Sequence, residues 1–423
     1  MSKYYGQLKI IHLVNEAQNS QAPAQKLADK ISSVFVPVVI SLASVAAAIW
    51  YVFGPEPEGV NAFTIFITVL IIACPCALGL ATPTAVMVGI GKAAKNGILI
   101  KNAESIEKAG SLDVIMLDKT GTVTEGKPKV LQAFFNPNFS QEDLISSLVS
   151  LEKHSEHPLA KMVVAHYSNA VSHEVTWFKS EAGVGVSGEM NGIDWAVGRP
   201  SGRSQQEWYT KGILELEAAG ATIIELQKQQ EPVILIGLAD EIKAEAKSQI
   251  ALIQNMGIDV LLLTGDNHNT AQIVSRALGI KTFKAGLHPK DKYEEIKAYQ
   301  KQGKKVAMVG DGINDAPALS LADVGIAMGT GTDVAMASAD ITLLHGDISK
   351  IQKAIKLSKQ ISQTIKQNLF WAFFYNVLAI PVAAGLLYPL NGFLLNPMIA
   401  GGAMAFSSLT VVLNSLWLKK KVL

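Results

Sequence analysis

The chain has 423 residues, is 49% hydrophobic and carries a formal net charge of +1. That length holds two or three domains, and that charge balance argues against nucleic-acid binding. Its only two cysteines, Cys74 and Cys76, stand one residue apart, which excludes a disulfide framework as an expectation.

In chain order, the first apolar run begins too late and is too long for a signal peptide. Residues 34–53 hold no charge and predict a spanning helix over 31–54, because about 20 apolar residues cross about 30 Å of hydrocarbon. Loop 54–61 has Glu56 and Glu58 but no Lys or Arg. Residues 62–91 are uncharged again and predict a second span, long or broken, containing Cys74-Pro75-Cys76. Pro75 removes a backbone donor and must kink or unwind that helix. Irregular backbone at membrane depth has to face protein or a cavity, so both thiolates are expected to face one. Soft thiolates suit a soft ion such as Cu(I); two inert buried cysteines are the competing reading.

Residues 92–366 carry charges throughout and alternate strand-like with helix-like patterns. Three apolar runs end in polar turns: 114–117 into Asp118-Lys119-Thr120-Gly121-Thr122, 259–263 into Thr264-Gly265-Asp266, and 306–309 into Gly310-Asp311-Gly312-Ile313-Asn314-Asp315. This predicts an α/β phosphorylation domain with a doubly wound parallel sheet, whose ligands bind at the carboxyl ends of the strands. It would occupy 92–129 and 237–348, interrupted by an inserted α+β domain over 130–236. After Lys366 no charge appears until Lys419, which predicts a membrane-proximal helix over 349–366 and two spans, 367–388 and 393–418. Four spans result. Lysines at 26, 30 and 419–421, with none in the short turns, put both ends and the large insert in the cytoplasm, and the chain in a plasma (inner) membrane.

A carboxylate such as Asp118 at a strand end can attack a phosphoryl group. Thr264 can hydrogen-bond the phosphoryl oxygens, Asp311 and Asp315 are hard ligands suited to Mg²⁺, and Lys292 can neutralise transferring charge. No Walker loop occurs. Each acidic turn taken singly could instead cap a helix or end a strand.

Together the three motifs resemble the signatures of P-type ATPases, which share the haloacid-dehalogenase-like fold. The resemblance implies ATP and Mg²⁺ as cofactors and makes Asp118 the phosphorylated residue. It assigns Lys119, Thr120, Thr264, Gly265, Asp266 and Lys292 to the catalytic corner, and Asp118, Thr120, Asp311 and Asp315 to Mg²⁺. Asn314 and Asp240 support phosphate and metal, and Lys243 belongs to the same element as Asp240. The insert resembles the nucleotide-binding domain of the heavy-metal branch. His157 of Ser155-Glu156-His157-Pro158 would lie near adenine with Glu152, and Gly183 and Gly185 would let the nucleotide approach the backbone. Gly198-Arg199 departs from that branch's Gly-Asn.

Cys-Pro-Cys, Tyr375-Asn376 and Met404 followed by Ser407-Ser408 resemble the copper-exporting subgroup. The resemblance implies a Cu(I) path over Cys74, Cys76, Tyr375, Asn376, Met404 and Ser408, with Asp29 as an access carboxylate. A Zn/Cd pump would be expected to show charged residues in the last two spans, and here both are uncharged. The chain is expected to begin at the end of an actuator domain (1–30), and Leu8 to Ala17 resembles the segment leading from that domain into the membrane. No Thr-Gly-Glu occurs. The expected activity is therefore ATP-driven Cu(I) export by a catalytic portion of a pump. The alternatives are a non-pumping nucleotide- and copper-binding protein, or a divalent-metal pump. Membrane lipid, a copper chaperone and an actuator-bearing chain are the expected partners.

Overall fold

In the computed structural model, residues 22–181, 184–329 and 331–423 are described. Expectations for residues 1–21, the end of the actuator domain included, lie outside them, as does Gly183.

The chain enters through α1 (Pro23–Phe53), apolar on nearly every side and buried only at Ala28, Val39, Ala43 and Trp50. Next come α2 (Glu58–Ile72) and α3 (Cys76–Lys95). Helical hydrogen bonding fails between them, where Pro75 offers no donor and takes φ −81°, ψ 40°.

Two sheets follow. The first contains β1 (Ile98–Ile100) and β2 (Val114–Asp118). The chain then leaves it to build β3 (Lys129–Phe135), β4 (Trp177–Glu181), β5 (Gly185–Met190), β6 (Ile193–Gly198), β7 (Thr222–Lys228) and β8 (Glu231–Ala239). It returns for β9 (Asp259–Leu263), β10 (Thr282–Lys284), β11 (Val306–Gly310), β12 (Val324–Met328) and β13 (Ile341–Leu343). The seven-stranded sheet runs β1-β13-β12-β11-β2-β9-β10, parallel except for β1. Every residue of β2, β11 and β12 is buried. Helices cover both faces of such a sheet, which is why these strands read as unbroken apolar runs rather than alternating ones. The six-stranded sheet is antiparallel, in the order β3-β8-β7-β6-β5-β4.

The outgoing and returning chains between the sheets run side by side. Thr124 bridges Ile242, and Glu125 N donates to Glu241 O at 2.9 Å.

The last membrane helices are α4 (Ser349–Ala383) and α5 (Pro397–Trp417). Here the structure corrects two expectations. The membrane-proximal segment and the third span are one helix, because no Gly or Pro interrupts residues 349–380. That helix ends at Ala383, before a short turn of helix at Tyr388–Asn391. Among the described residues, three stretches are long and apolar enough to cross a membrane by themselves: Pro23–Phe53, Glu58–Lys95 and Pro397–Lys420. The remaining expected span, 367–388, falls in the far half of α4, where Gln367, Asn368 and Asn376 interrupt the apolar run.

Candidate functional site

Asp118 closes β2 between β9 and β11, so parallel neighbours bring their own carboxyl ends beside it. Lys292 Nζ donates to Asp118 Oδ1 at 2.6 Å and to Asp315 Oδ1 at 2.8 Å, and all three side chains are buried. Asp311 completes a cluster in which carboxylate oxygens of Asp118, Asp311 and Asp315 lie within 4.8 Å of one another. Glycine makes the space. A Cβ on Gly121 (φ +69°) would sit 1.7 Å from Asp311 Oδ2, and one on Gly331 2.1 Å from Asp311 O.

Burial, then the charge of Asp315, pushes the Asp118 carboxyl up to about 7, against the pull of Lys292. Burial and Asp315 likewise raise Asp311. Burial works to lower Lys292, but the attraction of Asp118 and Asp315 outweighs it and leaves the ammonium raised. Three hard carboxylates crowded this closely, two of them raised towards their neutral forms, fit Mg²⁺ by donor type and by their need for positive charge.

Around this cluster, Thr264 is buried and its Oγ1 accepts from Asp266 N at 3.1 Å, while Gly265 is exposed between them. Lys119 forms an ion pair with Asp266. Thr120 and Asn314 are exposed at the rim. Lys243 Nζ donates to Gly121 O and Thr122 O, both at 2.9 Å, and to Gly346 O at 3.0 Å, clamping the loop that follows Asp118. Asp240 stands elsewhere than expected. Its carboxylate accepts from Thr124 Oγ1, from Gly126 N at 3.1 Å and from Lys127 N at 3.1 Å. It pins the crossing between the sheets and is not one of the three clustered acids.

In the six-stranded unit, a cavity of about 320 Å³ is lined by Glu152, His157, Gly185, Val197, Arg199 and Ile224, among others. His157 caps the Pro158–His166 helix, its Nδ1 accepting from Leu159 N at 3.2 Å. Burial pushes Glu152 up to about 7. A Cβ on Gly185 (φ +145°) would lie 2.0 Å from Val197 O. The pairing of β5 with β6 therefore demands this glycine before any ligand does. Sequence reasoning missed Glu225, fully buried and bonded to Tyr209 Oη at 2.7 Å and Ser201 N at 3.1 Å. It tethers the chain just beyond Arg199; nothing local in the sequence marks that distant pairing.

In the membrane region, Ile72, Tyr375, Asn376, Met404 and Ser407 line a cavity of about 190 Å³. Asn376 Oδ1 and Ser407 Oγ are buried there with no hydrogen-bond partner among the described residues. The serine in the lining is Ser407, not the expected Ser408, which is half-buried outside it. A residue turns about 100° around a helix, so packing of α5 decides which serine faces inward.

The cysteines depart further from expectation. Cys74 and Cys76 are joined as a disulfide, their Cα atoms 5.5 Å apart. The unwound turn at Pro75 brings both sulfurs to one side and within bonding reach. Cys74 packs half-buried against the apolar cluster that includes Met404, while Cys76 is exposed, so they do not both face the cavity. Asp29 is exposed on α1.

Sequence reasoning also missed a buried amide. Asn368 Nδ2 donates to Ala81 O at 3.1 Å and to Ser415 Oγ at 2.8 Å, and Oδ1 accepts from Asn414 Nδ2 at 2.8 Å. It ties α4 to α3 and α5.

The family model for haloacid dehalogenase-like hydrolases matches residues 112–323. A copper-exporting P-type ATPase of Bacillus subtilis (strain 168) is 45% identical over 97% of this chain and 51% of its own length. A probable copper-importing P-type ATPase A of Enterococcus hirae is 46% identical over 98% of this chain and 56% of its own length. The crystal structure of a zinc-transporting PIB-type ATPase in the E2.Pi state aligns with TM-score 0.79 at 30% identity, over 97% of this chain and 67% of that one. The chain belongs to the haloacid dehalogenase-like hydrolases and, among them, to the P-type ATPases. It spans about half the length of the curated relatives it matches.

Proposed function

We propose that the chain is the catalytic and ion-path portion of an ATP-driven copper pump that works through an aspartyl phosphate. The observation that carries this reading is the buried Asp118–Lys292–Asp315 cluster with Asp311 beside it. An Asp118 oxygen attacks the γ-phosphorus of ATP, the bond from phosphorus to the bridging oxygen breaks, and ADP leaves with that electron pair. Asp118 must be ionised to attack, and Lys292 holds the anionic form in place. Asp311 and Asp315 would hold Mg²⁺ together with Asp118, and the ion supplies charge neutralisation for the transferring group. Thr264 and the Lys119–Asp266 pair border the position of the phosphoryl oxygens. His157 and Glu152 would receive adenine in the cavity of the six-stranded unit.

The transported ion is Cu(I). The soft Met404 thioether supports this choice, with the Cys74 and Cys76 thiols once the disulfide is reduced. Transport runs outward in this reading, as the name of the Bacillus subtilis relative describes for that protein. Because no Thr-Gly-Glu occurs in the 423 residues, the carboxylate that hydrolyses the phosphoenzyme is assigned to a segment or partner outside them.

The test is acid-stable labelling of the reduced chain by γ-labelled ATP, with and without Cu(I). Copper should stimulate the label, and Asp118→Asn should abolish it. Label that persists in the variant removes Asp118 as nucleophile. Stimulation by Zn²⁺ and not by Cu(I) favours the divalent reading.

A further inference from the structure

A cavity of about 710 Å³ opens between α4 and α5 beside the lysines that follow α5, apart from the carboxylate cluster and the two cavities described above. Trp371 and Leu413 line its apolar part, and Gln367, Asn414, Trp417 and Lys420 its polar part. Trp371 and Trp417 are 42% and 66% exposed, as befits indoles at the boundary between hydrocarbon and headgroups. Its floor is fixed, because Asn414 is held by the buried Asn368.

The lining contains no acidic residue. Gln367 Nε2, Trp371 Nε1, Trp417 Nε1 and Lys420 Nζ donate to no group among the described residues. A site with four free donors, one of them cationic, and no acid fits an anion. A zwitterionic headgroup would bring a cation for which the lining offers no carboxylate. Basic pockets between membrane helices on the cytoplasmic side are sites for anionic headgroups, and a volume of this order suits a ligand of lipid-headgroup size.

We propose that this groove holds one anionic phospholipid, with its phosphate against Lys420, Gln367 and the Trp417 indole and an acyl chain along Leu413 and Trp371. The inference is independent of the phosphoryl-transfer reading.

The test uses the full chain in detergent, offered equimolar phosphatidylglycerol and phosphatidylcholine, with bound lipid counted by native mass spectrometry. One phosphatidylglycerol should be retained over phosphatidylcholine by about tenfold. Lys420→Gln should lower that preference about fivefold, Lys420→Arg should keep it, and Lys419→Gln, outside the lining, should leave it unchanged. Phosphatidylglycerol should also raise the melting temperature of the parent chain and of Lys420→Arg, but not of Lys420→Gln. Equal retention of the two lipids overturns the proposal. So does an equal loss in the two Gln variants, which would mean general surface charge. A lipid-free dimer that covers the groove with a second copy overturns it as well.

Discussion

The carboxylate cluster at the end of β2 and the cavity between α2, α4 and α5 both bury polar groups, and they do so in opposite ways. At the cluster, two of the three acids are matched beforehand. Lys292 reaches two carboxylates, glycines vacate the space of a third, and the Lys243 ammonium, its pKa lowered by burial, clamps the loop. In the membrane cavity, Asn376 Oδ1 and Ser407 Oγ have no partner, and desolvation is left uncompensated. A preorganised site spends its folding energy on holding charges where a reaction will use them. Orphaned oxygens leave hydrogen-bonding and ligating capacity that an ion or a water can take up. The two therefore differ in how they answer the removal of one side chain.

The largest response is expected at Lys292. Methionine there leaves Asp118 and Asp315 buried without their cation, a loss of about 3–5 kcal/mol by analogy with broken buried pairs. The loss should grow with pH. With Lys292 present the Asp118 carboxyl titrates at about 7; without the cation it is raised further, so the variant goes on losing stability as pH rises after the parent has levelled off. Thermal melting of Lys292→Met at about pH 5.5 and about pH 8 checks this, and an equal shift at each would show that the lysine is not matched to these charges. ATP labelling should fall by at least a hundredfold.

Glu152 is an intermediate case, a buried acid with no cation among the described residues beside it. Burial raises its folded pKa to about 7, above the unfolded carboxylate value. The folded state then binds more protons between those two values, so stability is highest below about 4.5, falls as pH rises towards 7, and stays low above it. Glu152→Gln should remove that slope and be more stable than the parent by about 3 kcal/mol at pH 8. Melting curves from pH 5 to 8 read it directly; parallel curves would place Glu152 in a more solvated setting. The same variant should weaken adenine-nucleotide binding, separating a ligand role from a folding role.

The contrast between these sites also explains what could be read from the sequence. Asp118, Thr264, Asp311 and Asp315 were legible because a parallel sheet delivers all its carboxyl ends to one place, so motif order becomes spatial proximity. Asp240 was legible as a residue but not as a tether, because two of its three partners are backbone amides that any sequence supplies. The continuity of α4 was there to be read in a 32-residue stretch free of Gly and Pro, and was hidden by the change from charged to apolar surface midway. Ser407 against Ser408 was not legible, since adjacent helical positions differ only in rotation. The Asn368 node was equally hidden, its partners lying 46, 47 and 287 residues away.

That node sharpens the comparison inside the membrane, because it is a buried amide with its bonds made. Asn368→Leu should cost about 1–2 kcal/mol, by removing its bonds to Ala81 O, Ser415 Oγ and Asn414 Nδ2 and loosening α4 from α3 and α5. Thermal melting in detergent is the measurement. No change would show that partnered and unpartnered amides are equivalent at this depth.

The smallest effect on stability is expected at Ser407. Its hydroxyl is already without a partner, so Ser407→Ala removes a desolvated polar atom and forfeits no hydrogen bond. Without copper the variant should melt within about 0.5 kcal/mol of the parent or slightly above it. A copper effect should then appear where the stability effect does not. If the cavity oxygens receive the ion or its water, Cu(I) should raise the melting temperature of the reduced parent and of Ser408→Ala more than that of Ser407→Ala. An equal rise in all three would mean that the orphaned hydroxyl is a packing defect. The cavity would then be no receiving site, and its difference from the matched cluster at Asp118 would reflect packing alone.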